Sequence, residues 1–114
     1  MADRKSLIDV PRPGSPVRGS RSGQPIMVLF DLLGRRWALG IIWNLAMGSC
    51  TFRQLQARCE TLSPTVLNTR LKELRATGIV AKTEQGYALT QEGQDLYALL
   101  EPLGDWAEGW GKSL

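Results

Sequence analysis

Hydrophobic positions in this chain recur at helical spacing in some stretches and alternate in others, and the changes of period mark out its elements. From Pro25 the residues turn sharply apolar. Ile26, Leu29, Phe30 and Leu33 keep a helical spacing that Pro25 can open and Gly34 can break. A second apolar run follows the Arg35-Arg36 pair, where Trp37, Ile41 and Leu45, with Ile42 and Trp43 beside them, predict a core helix. Within it Gly40 permits close approach of a neighbouring helix, and Gly48 provides its C-cap. The next segment, Thr51 to Glu60, is shorter. Phe52, Leu55 and Cys59 form its stripe, and Thr51 with Gln54 three residues on is a capping-box pair.

The stretch from Leu62 to Gly78 carries the most complete helix signature. Ser63 is a preferred N-cap and Pro64 suits the first helical position, where no N–H is needed. Leu67, Leu71 and Leu74 form one buried stripe, and Gly78 can take the left-handed conformation that ends a helix. At about 100° per residue, Thr65, Asn68, Thr69, Lys72 and Ala76 gather on the opposite side. That side carries an amide, hydroxyls and a cation but no carboxylate, which suits base edges and phosphates in a major groove. Taken alone it reads more readily as an ordinary solvated face. The short capped helix just before it alters the reading, because two such helices joined by a few residues are the sequence form of a helix-turn-helix.

After Gly78 the period shortens: Ile79–Thr83 and Tyr87–Thr90, around Glu84, Gln85 and Gly86, predict a hairpin that would serve as a wing. Its cation is Lys82, and Glu84 near the tip weakens any grip on DNA. Thr90 caps a last helix in which Leu96, Leu99, Leu100, Leu103, Trp106 and Trp110 fall at helical spacing and Pro102 introduces a kink. A small domain with a closed core has little use for a further apolar stripe unless a partner covers it, so Leu99, Leu103, Trp106 and Trp110 are the expected dimerisation residues, with part of the stripe expected to pack back onto the first helix. The predicted fold is mainly α with a small β-hairpin, a winged helix-turn-helix with an additional C-terminal dimerisation helix.

Charge sharpens this division. Residues 1–23 carry a net +3, residues 24–90 a net +4 and residues 91–114 a net −4. The basic and acidic parts should do different jobs. Residues 1–23 hold Pro11, Pro13, Pro16, Gly14, Gly19 and Gly23 among few apolar side chains and are expected to be a flexible basic arm, with residues 24–114 as the folded domain. The chain has no histidine, which removes the commonest general base and zinc ligand, and no nucleophile–base pair or metal set can be assembled. An enzyme and a bound cofactor are therefore not expected. Cys50 and Cys59 make no disulfide or metal framework, and no apolar run is long enough to span a bilayer, so a reduced, cytoplasmic protein without a membrane partner is expected.

From Gln24 to Trp110, about three quarters of the chain, this order of signals resembles the HxlR family of small bacterial and archaeal winged-helix transcription regulators. The resemblance rests on Pro25, the Gly34-Arg35-Arg36-Trp37 junction, Leu45 to Gly48, Phe52 with Leu55, Leu62-Ser63, Leu67, Arg70-Leu71, Glu73-Leu74, Gly78, Tyr87, Leu89-Thr90, Gly93, Leu103 and Trp106. It implies a two-fold dimer held through terminal helices, each winged helix reading half of a near-palindromic operator. Members that sense electrophiles carry a reactive cysteine beside the proline before the first helix, where this chain has Gln24, so the resemblance does not extend to that role. The wing is also shorter than is usual in the family.

The expected function is thus a DNA-binding transcriptional regulator acting as a homodimer on double-stranded DNA; the alternative is a winged helix used only as a protein-interaction module. A protein interface favours exposed aromatic or aliphatic anchors on the outward face of residues 63–76, whereas that face is polar and holds Lys72. The expected DNA-contacting residues are Ser63, Pro64, Thr65, Asn68, Thr69, Arg70, Lys72, Arg53 and Lys82, with Asn68 as base reader, Lys72 on phosphate and Arg70 bracing the helix or reaching a phosphate. Trp37, Trp43 and Tyr97 would line any pocket for a small-molecule effector between the core and the terminal helix, although aromatic residues at helical spacing are more often plain core.

Overall fold

Among residues 9–114, which the computed structural model describes, six helices and one hairpin follow in the order α1 (Pro25–Leu33), α2 (Ala38–Leu45), α3 (Phe52–Arg58), α4 (Pro64–Ala76), β1 (Val80–Thr83), β2 (Gly86–Leu89), α5 (Gln91–Leu100) and α6 (Pro102–Lys112). The expected caps form. Thr51 Oγ1 accepts from the Gln54 amide at 3.2 Å while Gln54 Oε1 accepts from the Thr51 amide at 2.9 Å. Thr90 Oγ1 accepts from the Gly93 amide at 3.1 Å, and Gly78, at φ +78°, leaves α4 in the left-handed region.

The core lies where α2, α3 and α4 meet the hairpin. Ile41, Ile42, Leu55, Leu67, Leu71 and Leu74 are fully buried, with Cys50 and Cys59 among them. Each aliphatic side chain removed from water there contributes on the order of 1.5–3 kcal/mol. Trp43 departs from expectation, being 41% exposed. Two helical steps carry it about 200° from Ile41, away from the face that Ala38, Ile41, Ile42 and Leu45 bury. Its ring instead stands edge-on to Tyr97, with centroids 5.3 Å apart.

Strands β1 and β2 pair antiparallel, with Val80 opposite Leu89 and Thr83 opposite Gly86. The sequence pattern missed a third member of this layer. Cys50 bridges to Tyr87: its amide donates to the Tyr87 carbonyl at 3.0 Å and the Tyr87 amide donates back at 2.7 Å. The segment entering α3 is thereby fastened to the inner strand of the wing. At the far end, Pro102 divides the last helix as expected: α5 and α6 adjoin at Glu101, whose backbone stays helical.

Residues 1–8 of the expected arm, with Arg4 and Lys5, lie outside the described residues. Residues 9–23 run as turns against the helical body rather than free of it: Val10 is buried and the Gly14 amide donates to the Gly23 carbonyl at 3.0 Å. Arg18 and Asp31 approach to 3.5 Å. One short apolar anchor and a set of turn bonds seat a segment whose composition alone suggested freedom.

Candidate nucleic-acid interface

Helices α3 and α4 are joined by residues 59–63, where Glu60 and Thr61 have φ of 58° and 55° and turn the chain sharply. Left-handed backbone at non-glycine residues costs energy, which the surrounding contacts offset. Gln56 Nε2 donates to the Leu62 carbonyl at 2.9 Å, tying α3 to the end of the turn, and the buried Leu55, Leu62 and Leu67 fix the two helices to one core. Ser63 Oγ accepts from the Val66 amide at 3.4 Å, and Pro64 occupies the first turn. The N-terminus of α4 is thus rigidly held at the protein surface, with its positive dipole end outward.

The sequence-predicted residues fall into three groups. Ser63, Pro64, Thr65, Asn68, Thr69 and Lys72 are all exposed along one side of α4. Thr69 Oγ1 donates to the Thr65 carbonyl at 2.9 Å, so its hydroxyl presents only acceptor lone pairs outward. Asn68 and Lys72 make no side-chain hydrogen bond among the described residues and keep their full donor sets. Arg53 is exposed in the first turn of α3 and Lys82 is exposed on β1. The Lys82 ammonium lies 5.8 Å from the Tyr87 ring centroid, a cation–π distance that holds the lysine over the wing.

Arg70 turns the other way. Its Nε donates to the Arg36 carbonyl at 2.7 Å and its Nη1 to Glu73 Oε1 at 2.9 Å, leaving its side chain 19% exposed. Of its two expected roles, bracing the helix is the one its bonds perform. Glu73, buried at 6% exposure, also accepts from Arg35 Nη1, and that same nitrogen donates to the Asp9 carbonyl at 2.9 Å. A carboxylate held between two guanidiniums is compensated in a place where an unpaired charge would be strongly destabilising. The i,i+3 spacing of Arg70 and Glu73 was a signal in the sequence; the contribution of Arg35 from another helix junction was not.

Arg75 is a further exposed cation that the outward-face count omitted. It lies three residues after Lys72 and seven after Asn68, so it continues their side of α4 toward the C-terminus. Periodicity alone would have found it.

The aromatic group expected to line an effector pocket does not form one wall: Trp43 and Tyr97 contact each other, while Trp37 packs half-buried against the core. A cavity of about 280 Å³ lies elsewhere, between Pro11, Pro25, Leu29 and Leu32 on one side and Thr77 and Ile79 on the other. Cys50 and Cys59 are both buried and free. Burial, with smaller contributions from Cys50 and Glu60, pushes the Cys59 thiol above its ordinary range, while Arg58 Nη1 donates to Cys50 Sγ at 3.1 Å. No helix among the described residues is long and apolar enough to cross a membrane.

The known proteins that this chain is similar to are helix-turn-helix regulators. The family model for HxlR-like helix-turn-helix proteins matches residues 32–114. The HTH-type transcriptional regulator YvaP of Bacillus subtilis is 34% identical, over 70% of this chain and 81% of its own. YodB, an HTH-type transcriptional regulator of the same organism, is 33% identical over 69% and 77% of the two chains. The crystal structure of quinone-bound YodB superposes with a TM-score of 0.67 at 32% identity, covering 75% of this chain and 96% of that one. Its reduced form gives 0.64 at 34% identity, over 74% and 90%.

Proposed function

Because the chain belongs to the HxlR-like helix-turn-helix family of transcriptional regulators, we propose that it binds a near-palindromic operator as a homodimer, with α4 of each protomer reading one half-site. The observation that carries this reading is the outward side of α4, where Thr65, Asn68, Lys72 and Arg75 are exposed with no carboxylate among them while the helix's only glutamate, Glu73, is buried. Such a face admits phosphates and offers an amide to a base edge. A protein-interaction module would place apolar anchors there, and the exposed apolar residues lie instead on other elements.

Those residues support the dimer. Leu99, Leu103, Trp106 and Trp110 are all more than half exposed, and no residue of α6 is buried. Ile26 and Phe30 on α1 are exposed as well. A second copy covering these faces removes them from water and relates the two recognition helices by a two-fold axis, which a palindromic site mirrors.

A quinone is bound in one YodB structure. In this chain Gln24 precedes Pro25 and both cysteines are buried, so signalling through a reactive thiol at the first helix is not part of the reading. Double-stranded DNA as partner and the absence of a thiol framework fit a cytoplasmic regulator.

Selecting bound sequences from a random duplex pool tests the proposal. Enrichment of an inverted repeat whose half-sites are centred about one helical turn, or a multiple of it, apart is the expected result. A pool that stays random, with no retention on duplex at low salt, would turn the reading toward a protein-interaction module.

A further inference from the structure

The adjacent Arg35 and Arg36 have opposite fates. Arg35 points inward to Glu73, with a side chain 22% exposed, whereas Arg36 is exposed and its guanidinium has no hydrogen bond or ion pair among the described residues. Immediately after them Trp37 sits at φ 69°, a left-handed backbone that a bulky residue adopts only when its surroundings hold it there. What holds this junction is α4. Arg70 Nε donates to the Arg36 carbonyl, Arg70 and Arg35 share the Glu73 carboxylate, and the three bonds clamp the junction against one flank of the helix.

That flank borders the outward side of α4. Around the helix, Glu73 follows Thr69 by about 40° and Arg70 lies about 60° further on. When α4 occupies a major groove, the walls beside it are phosphate strands, and a cation mounted on the flank meets phosphate rather than a base edge. We propose that Arg36 is a phosphate contact of the DNA complex and that Glu73 is the positioning residue that aims it, through Arg70 and Arg35. The inference rests on the DNA-binding reading of α4. Arg36 adds a contact outside the helix-turn-helix, and Glu73 sets its register without touching DNA.

The test is the salt dependence of binding to a mixed-sequence duplex, followed by fluorescence anisotropy. Arg36→Ala should weaken binding and reduce the slope of log K against log salt by about 0.9, the loss of one phosphate contact. Glu73→Gln keeps the shape but removes the charge that gathers the two arginines, and it should lose the same increment of slope. Combining it with Arg36→Ala should then reduce the slope no further. Arg70→Lys, which keeps the charge but not the Nε donor to the Arg36 carbonyl, should match Arg36→Ala and serves if Glu73→Gln fails to fold by circular dichroism. An unchanged slope in Arg36→Ala overturns the contact. A full additional loss when Arg36→Ala is combined with Glu73→Gln or Arg70→Lys overturns the positioning role and leaves those residues merely structural. Absence of salt-dependent binding by the wild-type chain would instead reject the DNA-binding reading on which the proposal stands.

Discussion

Gly86 lies so close to Cys50 that a β-carbon at position 86 would overlap the Cys50 carbonyl oxygen, the same oxygen that accepts from the Tyr87 amide. The backbone at Gly86 also has φ +116°, where side chains are rarely accommodated. Gly86→Ala should therefore lower stability by roughly 1–3 kcal/mol through backbone strain, with the steric overlap adding to it. Thermal unfolding monitored by circular dichroism gives the comparison. A melting temperature equal to wild type would mean that the wing does not hold the entry to α3 as tightly as these bonds indicate.

On the outward side of α4, contacts that specify sequence should separate from contacts that only hold the duplex. Asn68→Ala should cost roughly 1–3 kcal/mol on the preferred base and relax selectivity there, because its amide can donate to and accept from adenine at once. Lys72→Ala should weaken binding to matched and random duplexes alike and flatten the salt slope by about one unit. Equal losses on all duplexes for Asn68→Ala would remove it as a reader.

Self-association is expected to depend on the exposed stripe of the terminal helix. Leu103→Asp with Trp106→Asp places two carboxylates in an apolar contact and should shift sedimentation from dimer toward monomer. The proposed DNA face lies on another helix, so weak binding to random duplex should persist while operator affinity falls with the loss of the second half-site. A wild-type chain that sediments as a monomer at working concentration would show that this stripe is covered in another way.

The cysteines should be silent in the folded protein. Cys59 is buried with its thiol pushed up by desolvation, and the neutral thiol is a poor nucleophile. Alkylation should be slow at neutral pH until the chain is unfolded, and a Cys50→Ser, Cys59→Ser variant should keep its affinity for DNA. The raised folded pKa also fixes a sign: its contribution to stability is complete below the unfolded pKa of a thiol and is lost as pH rises from there through the folded value. Cys59→Ser should thus show a shallower alkaline decline in stability than the parent chain. Rapid labelling of native protein at neutral pH would contradict the burial.

Elements set by local chemistry could be read from the residues. Thr51 with Gln54, Ser63 with Pro64, and Gly78 mark helix ends through bonds within a few residues, and the leucine period of α4 needs nothing distant. What escaped were relationships across the chain. The Cys50–Tyr87 bridge joins residues far apart in the chain, and the segment around Cys50 carries no recognisable strand pattern. Arg35 reaches Glu73 from the α1–α2 junction, so a charge that counts as an ordinary helix-surface anion in the sequence is buried in the fold. Trp43 escapes for a simpler reason: apolar character does not by itself mean burial, and its position on α2 turns it from the core. On α4, the exposed residues follow from periodicity, which also reaches Arg75, while the inward turn of Arg70 depends on a carbonyl in another element.

A helix that buries no residue in its own chain, as α6 does, has little to hold it folded by itself. At eleven residues, with glycines at 104, 109 and 111, it is shorter and poorer in helix-forming residues than a peptide that stays helical alone in water. Its order then becomes a function of how much protein is present. Dilution should fray α6 before it disturbs the winged helix, and the melting temperature should climb with protein concentration, as mass action requires when folding and pairing are one event. For a regulator that pairs as proposed, that would make the abundance of the chain itself an input to how firmly two copies of α4 are held in register.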